Sequence, residues 1–248
     1  MRAAIERAQR VPDSRLELKM LAPDLNGLVE GLIGTPWRLT YRLTLCPDPA
    51  DLRLGSARNH GRIRWAVNKA ARLGVRVRQA ETEVDLLDWY RLYLETMRSH
   101  QVPPRSYRFF RSIWRYLLPR GWMRLLLAEQ RQVKERRPLA GSIFLLFGCT
   151  IFYAFNGRHR VDLPLRPNDA IHWQAIQDAC HSGFRTYDFG GGGKPSGIGE
   201  FKHKWGAEPQ RLYRYYYPPI PDLNTDDFMP GKPIQRIGLP PGAGCYSG

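Results

Sequence analysis

The chain has 248 residues, 43% hydrophobic and 12% aromatic, enough to bury a core as one large domain or two small ones and too apolar for a disordered polymer. Lys and Arg number 38 against 23 Asp and Glu, a formal charge of +15. That excess suits a polyanion such as RNA, DNA, a nucleotide-linked precursor or an acidic membrane surface; the plain alternative is a basic protein whose surface lysines have become arginines.

Cys46, Cys149, Cys180 and Cys245 are widely spaced, with no CxxC pair and no Cys/His ligand spacing. A zinc site is therefore not expected, and free thiols in a reducing cytoplasm are. The opening stretch MRAAIERAQRVPDSR carries charge with no apolar core behind it, so no signal peptide is expected.

In chain order, residues 1–10 read as the end of a helix, and Arg15–Met20 and Leu39–Leu45 alternate like strands. A Pro/Asp linker follows over Cys46–Gly55. Ala57–Leu73 is a helix, with Ile63, Ala66, Val67, Ala70 and Leu73 at helical spacing, ended by Gly74 before a strand at Val75–Arg78. Thr82 to Asp85 is a capping box for a helix whose inward face is expected at Leu87, Tyr90, Leu94 and Met97. After Pro103-Pro104, a helix over Ser106–Leu118 turns Phe110, Ile113, Trp114 and Leu117 inward.

Met123–Glu129 is a strand, and RQVKERRP a charged turn. Leu139–Gly157 is uncharged and long enough to cross a bilayer. Its Ile, Phe and Tyr content and the Gly148-Cys149-Thr150 break read instead as a hairpin of two buried strands, with no transmembrane segment. Asn168 is expected to cap a helix through Ala179, followed by a strand at Phe184–Phe189. Arg211–Tyr217 is a last strand, and residues 218–248 a loose Pro/Gly-rich tail. These elements make an α/β (α+β) domain around a mixed sheet.

The stretch YDFGGGGKPSGIGEFKHKWG, Tyr187–Gly206, carries the chemistry to be decided. It is not a P-loop: Pro195 follows Lys194 where a hydroxyl should hold magnesium. Asp188-Phe189-Gly190 is not a kinase signature, because His159-Arg160 is followed by Val161 and little chain remains for a helical lobe. A flexible linker would fit the glycines, but both ends of this loop run straight into core elements, which favours a site.

The ordered set of the hairpin, RPNDAIHWQAIQDACHSGFRTYDFGG, the glycine loop, GEFKHKWGAEP and the aromatic strand resembles the second acetyltransferase-like (GNAT) lobe of the FemABX peptidyltransferases. It is closest to FemAB-related proteins of exosortase (PEP-CTERM) systems. The marks are Asn168, Trp173, Gly183, Tyr187-Asp188-Phe189, Phe201-Lys202 and Trp205-Gly206, and the helix and strand in ARNHGRIRWAVNKAARLGVRV are similar too. The resemblance covers roughly residues 15–217. It implies a GNAT-like fold with an incomplete first lobe at 1–80, a transferase domain at 81–217 and the tail at 218–248. It also implies transfer of an amino acid from aminoacyl-tRNA to an amine of a peptidoglycan precursor or another envelope molecule, in the cytoplasm or against the inner membrane surface, with no cofactor besides the donor. Family members usually carry two full lobes, and the exosortase-linked relatives more often have Arg-Ser-Lys where this loop reads Gly190–Gly193-Lys194-Pro195.

In such a reaction an amine attacks an ester carbonyl and negative charge develops on its oxygen, so a positive group is needed there. The resemblance gives that role to Lys202, with Phe201 packed beside it to place the donor; without it, Lys202 would read as a surface lysine. Asp188 either orients the loop through backbone N–H groups or meets the incoming amine, the first weighing more. Gly190 and Gly191 allow close backbone approach to substrate or serve only the turn. Lys194, Tyr153, Arg158 and Arg160 complete the expected substrate contacts. From Leu52 to Ala80 there are eight Lys and Arg and no acid, and Arg58, Arg62, Lys69 and Arg72 share one helical face, a phosphate site for tRNA or a nucleotide-linked precursor. Two rivals stand beside this reading: an acyl-CoA-dependent N-acyltransferase in exopolysaccharide or envelope assembly, whose Arg/Gln-x-x-Gly-x-Gly/Ala turn is not obvious here, and a basic binding module without catalysis.

Overall fold

The computed structural model describes residues 2–11, 16–21, 25–28, 32–131, 136–191 and 197–218. In chain order its elements are α1 (Arg2–Gln9), β1 (Leu16–Met20), β2 (Thr35–Thr44), α2 (Ala57–Arg72), β3 (Val75–Gln79), α3 (Glu83–Ser99), α4 (Tyr107–Leu117), β4 (Met123–Arg131), β5 (Arg136–Phe147), β6 (Thr150–Arg158), α5 (Pro167–His181), β7 (Thr186–Gly191), α6 (Gly197–Lys204) and β8 (Glu208–Tyr217).

The chain divides into two compact units. One comprises Met1–Leu39 with Arg211–Gly248, and there β1 pairs antiparallel with β8, Leu16 opposite Tyr217 and Met20 opposite Tyr213. Its small core gathers Ile5, Leu25 and Leu32 around the buried Tyr215. The other spans Thr40–Gln210 and contains α2 and β3, so the expected boundary at residue 80 coincides with no boundary of either unit. The expected tail from 219 onward and the turn residues 132–135 lie outside the described residues.

In the Thr40–Gln210 unit the strands run in the order β2-β7-β6-β5-β4-β3. β6 and β7 are parallel and the other neighbours antiparallel, which makes the mixed sheet expected. The uncharged run forms the antiparallel hairpin β5–β6, with Phe147 opposite Thr150. Among the described residues no helix is long and apolar enough to cross a membrane. Both faces of the sheet are covered, which is why β4 carries four consecutive apolar residues, Leu125, Leu126, Leu127 and Ala128. Leu125 and Leu127 face a core built with α3 and α4, including Trp89, Phe110 and Trp114. Leu126 and Ala128 face the opposite core, built with α2 and α5.

Two local expectations need correction, and one helix goes beyond them. The Thr82–Asp85 capping box is present, but α3 buries Leu86, Trp89, Leu92, Tyr93 and Thr96, while of the expected face Tyr90 and Met97 pack against this core only partly buried and Leu87 is exposed. The apolar residues of this helix nearly encircle it, and the sheet selects the stripe that lets Trp89 Nε1 donate to the Gly141 carbonyl at 3.0 Å. Asn168 is not the cap of α5: the N-cap is Arg166, in the left-handed region at φ 62°, and Pro167 takes the first helical position, where its missing N–H costs nothing. Phe201 and Lys202, for which the sequence predicted no element, sit in the short helix α6.

Candidate active site

The parallel pairing of β6 with β7 covers Thr150, Ile151 and Phe152 opposite Thr186, Tyr187 and Asp188. Beyond it both strands continue, β6 to Arg158 and β7 to Gly191. A cleft of about 810 Å³ is lined by these two strand ends together with residues of α3, α5 and α6. Close approach of α3 to β6 depends on Gly157, where a Cβ would stand 2.5 Å from the Tyr93 backbone nitrogen. Thr96 completes this joint by accepting from the Arg158 N–H at 2.9 Å.

Lys202 lines the cleft and is only 4% exposed. Its ammonium donates to the carbonyls of Gly190 and Gly191 at 2.8 and 2.9 Å. Burial pushes its pKa down to about 8, opposed in part by the Asp188 carboxylate. At pH 7 it therefore remains mostly a cation. Phe201, beside it, packs on His172, with ring centres 5.3 Å apart. α6 is fixed from both sides. Lys204 pairs with the buried Asp169 of α5 at 2.7 Å. The turn after α6 ends at Gly206, whose φ of 81° and 2.5 Å approach of a Cβ to the Gly55 nitrogen leave no room for a side chain.

Six residues expected from sequence to form the site line this one cleft: Tyr153, Arg158, Gly190, Gly191, Phe201 and Lys202. Arg160 lines an adjoining pocket of about 300 Å³, which Arg158 shares. Asp188 is not in the lining. Its Oδ1 accepts from the Thr40 hydroxyl at 2.5 Å and from the Gly190 N–H at 2.7 Å, the arrangement of a residue that orients the end of β7. Lys194 lies outside the described residues. Arg58, Arg62, Lys69 and Arg72 are on α2 and not in the cleft wall.

His172 is buried and also lines the cleft. Its Nδ1 shares a 2.6 Å hydrogen bond with the Tyr187 hydroxyl, and aromatic rings of Tyr153, Phe189, Phe201 and Trp205 surround it. Burial, then the charges of Lys204 and Lys202, push its pKa down to about 3, so it is a neutral imidazole at any working pH. Burial also pushes the Tyr153 phenol up to about 12 against the pull of Arg158. Asn156 and Asn168 meet at 3.3 Å in the same wall. The RPNDAIH segment was the available signal for Asn168 and His172, since it places three polar residues at the start of a helix that is otherwise core.

The 3-10 turn between β6 and α5, Arg160–Leu165, is clamped by Arg137, whose Nη2 donates to both Asp162 oxygens at 2.8 Å. It delivers Arg166 to the cleft edge.

Residues 56–203 match the family model described as an acetyltransferase (GNAT) domain. The chain belongs to that family. As a GNAT protein it is an acyltransferase, and the cleft at the parting of β6 and β7 is its candidate active site. No protein of curated function matches the sequence. Among solved structures, the GNAT chain is similar in fold to FemX, at 16% identity over 86% of this chain and 75% of that one, with a TM-score of 0.70. It is similar to the C-terminal domain of a putative lysylphosphatidylglycerol synthetase from Agrobacterium fabrum, at 14% identity over 86% and 71% and a TM-score of 0.62. The L-PGS of Bacillus licheniformis gives 12% identity over 75% and 62%, with a TM-score of 0.54. These likenesses meet the expectation of a GNAT-like fold.

Proposed function

We propose that this acyltransferase moves an aminoacyl group from an aminoacyl-tRNA ester to an amine of a cell-envelope precursor, with Lys202 as the catalytic cation. The observation that carries the reading is a buried ammonium, seated at the end of β7, that opens onto a cleft large enough for both reacting ends. The amine nitrogen attacks the ester carbonyl, a C–N bond forms and the carbonyl electrons move to oxygen. The Lys202 ammonium stabilises that oxygen. Collapse breaks the C–O bond, and the ribose hydroxyl leaves with the proton the amine gives up. Phe201 and the rings around His172 keep water from the ester, which would otherwise hydrolyse it.

Support for an aminoacyl rather than a CoA donor comes from the turn before α5. A pyrophosphate cradle needs free backbone N–H groups at the helix start. Here Pro164 and Pro167 have none, and the N–H groups of Asp162 and Arg166 are spent on His159 and Leu163, which leaves Asn168 and Asp169 alone in the first turn of α5 to offer theirs. The fold likeness to FemX and to the putative lysylphosphatidylglycerol synthetase, whose name couples lysyl to a membrane lipid, points the same way. The test offers the purified chain a charged tRNA pool and an acyl-CoA pool in parallel, with a peptidoglycan precursor as acceptor. Transfer from tRNA, lost in Lys202→Ala, is the expected result. Transfer from CoA alone overturns the donor assignment.

A further inference from the structure

α2 turns a tryptophan outward. Trp65 is 50% exposed and stands one helical turn from Arg62 on one side and Lys69 on the other. The Lys69 ammonium lies 5.3 Å from the centre of its ring, and the Arg166 guanidinium carbon 5.5 Å. Arg166 comes from a separate element, the start of α5, and also lines the cleft that holds Lys202. The basic face of α2 and the cleft are thus joined through one side chain. Arg166 Nε is buried with no hydrogen-bond partner among the described residues. A buried guanidinium nitrogen left unsatisfied is costly, and an anionic oxygen would supply what it lacks. Among the described residues no carboxylate pairs with Arg58, Arg62, Lys69 or Arg72.

A half-exposed indole bordered by unpaired cations matches a nucleotide better than a peptide or a lipid. The flat ring takes a base by stacking, and the cations take phosphate oxygens. We propose that Trp65, Arg166 and Lys69 seat the terminal nucleotide of the donor, its base stacked on the Trp65 indole and its phosphate on Arg166. The acyl-bearing end then runs into the cleft toward Lys202, while the preceding phosphates follow Arg62 and Arg58 along α2. This seat rests on the donor reading above. An adenine nucleotide ends both a tRNA and a coenzyme A molecule, so the test separates the two.

The experiment measures binding of an RNA hairpin with a single-stranded CCA 3′ end, of the same hairpin without the overhang, and of coenzyme A. Wild type is compared with Trp65→Ala, Trp65→Phe and the control Trp122→Ala. Trp122 is an exposed tryptophan, 55%, with Arg120 at 6.0 Å, but does not line the cleft. Stacking on one base contributes about 1–3 kcal/mol, so Trp65→Ala is expected to weaken the overhang RNA about 5- to 150-fold. Trp65→Phe should lose less, Trp122→Ala nothing, and the blunt hairpin should be indifferent to all three. Melting curves for each variant confirm that it is folded. Equal binding of the overhang RNA by wild type and Trp65→Ala overturns the seat, as does wild type binding neither RNA nor coenzyme A. A Trp65 effect on coenzyme A alone upholds the seat and overturns the tRNA donor.

Discussion

Replacing Lys202 separates a catalytic cation from a structural strut. Its ammonium makes two hydrogen bonds, at 2.8 and 2.9 Å, to the carbonyls of Gly190 and Gly191. Hydrogen bonds to charged groups are each worth about 1.5–3 kcal/mol. Against them stands the desolvation that pushes the lysine pKa to about 8, and the exposed Gly191 lets water replace part of the lost bonding. The net loss of stability in Lys202→Met should therefore be about 1–2 kcal/mol, leaving the protein folded at room temperature. Removing a donor from a developing oxyanion costs about 100- to 1000-fold in rate, roughly 3–4 kcal/mol of barrier. Single-turnover transfer from charged tRNA, measured beside urea unfolding, reads both quantities. The ratio of wild-type to Lys202→Met rates cancels the ionisation of the acceptor amine. Lys202 is protonated below its pKa, so this ratio should be full at pH 7 and collapse as pH rises through about 8. Lys202→Arg, whose guanidinium does not titrate there, should keep part of the acceleration with no such fall. A ratio below tenfold at pH 7, or one unchanged between pH 7 and pH 9, refutes the role.

Three further outcomes follow from the packing and the charges. Gly157→Ala drives a Cβ to 2.5 Å from the Tyr93 backbone nitrogen, and should lower unfolding free energy by about 1–3 kcal/mol in urea titration; an unchanged midpoint contradicts the α3–β6 contact. The Asp85 carboxyl is disfavoured as an anion by burial, but Arg78 and the N–H groups of Glu81 and Thr82 outweigh this and hold its pKa below the ordinary 3.8. Its stabilisation is thus present above about pH 4 and lost as pH falls through the depressed value. Arg78→Met should move acid unfolding to higher pH, and identical acid midpoints count against the network. His172 should show no titration between pH 5 and pH 8 in NMR spectra of its ring; a midpoint near 6.5 would contradict its burial in the aromatic cage.

The elements most legible in the sequence were those whose period had one solution. α4 could bury only Phe110 and Trp114 with their neighbours, and the long apolar run could form a sheet hairpin once Gly148 supplied its turn, at φ 54°. α3 offered two plausible stripes, and nothing local selects between them. Leu86 and Trp89 win because a glycine at 141 on the far strand makes space for the indole. α6 was hidden by Gly197 and Gly199, which lower helix propensity in a helix of only eight residues. At the site, Phe201 and Lys202 were legible only through the family resemblance of the Tyr187–Gly206 stretch, since a lone lysine reads as surface. The cleft itself exists because two parallel strands separate, and that pairing joins residues more than thirty positions apart. The Arg166–Trp65 contact is equally non-local and left no pattern in the chain.

The partners of the Lys202 ammonium are two neutral carbonyl oxygens. A carboxylate in their place would hold the lysine as firmly but cancel its field, and each turnover would have to pull the pair apart. Peptide dipoles orient the cation, and the Asp188 carboxylate, which makes no direct bond to it, offsets its charge only in part. Its attraction for an emerging oxyanion is then available before the substrate arrives, and little rearrangement is needed at the moment of bond formation. The same arrangement makes the empty cleft electropositive at rest, so an anionic inhibitor of modest size should bind it better than a neutral one of the same shape.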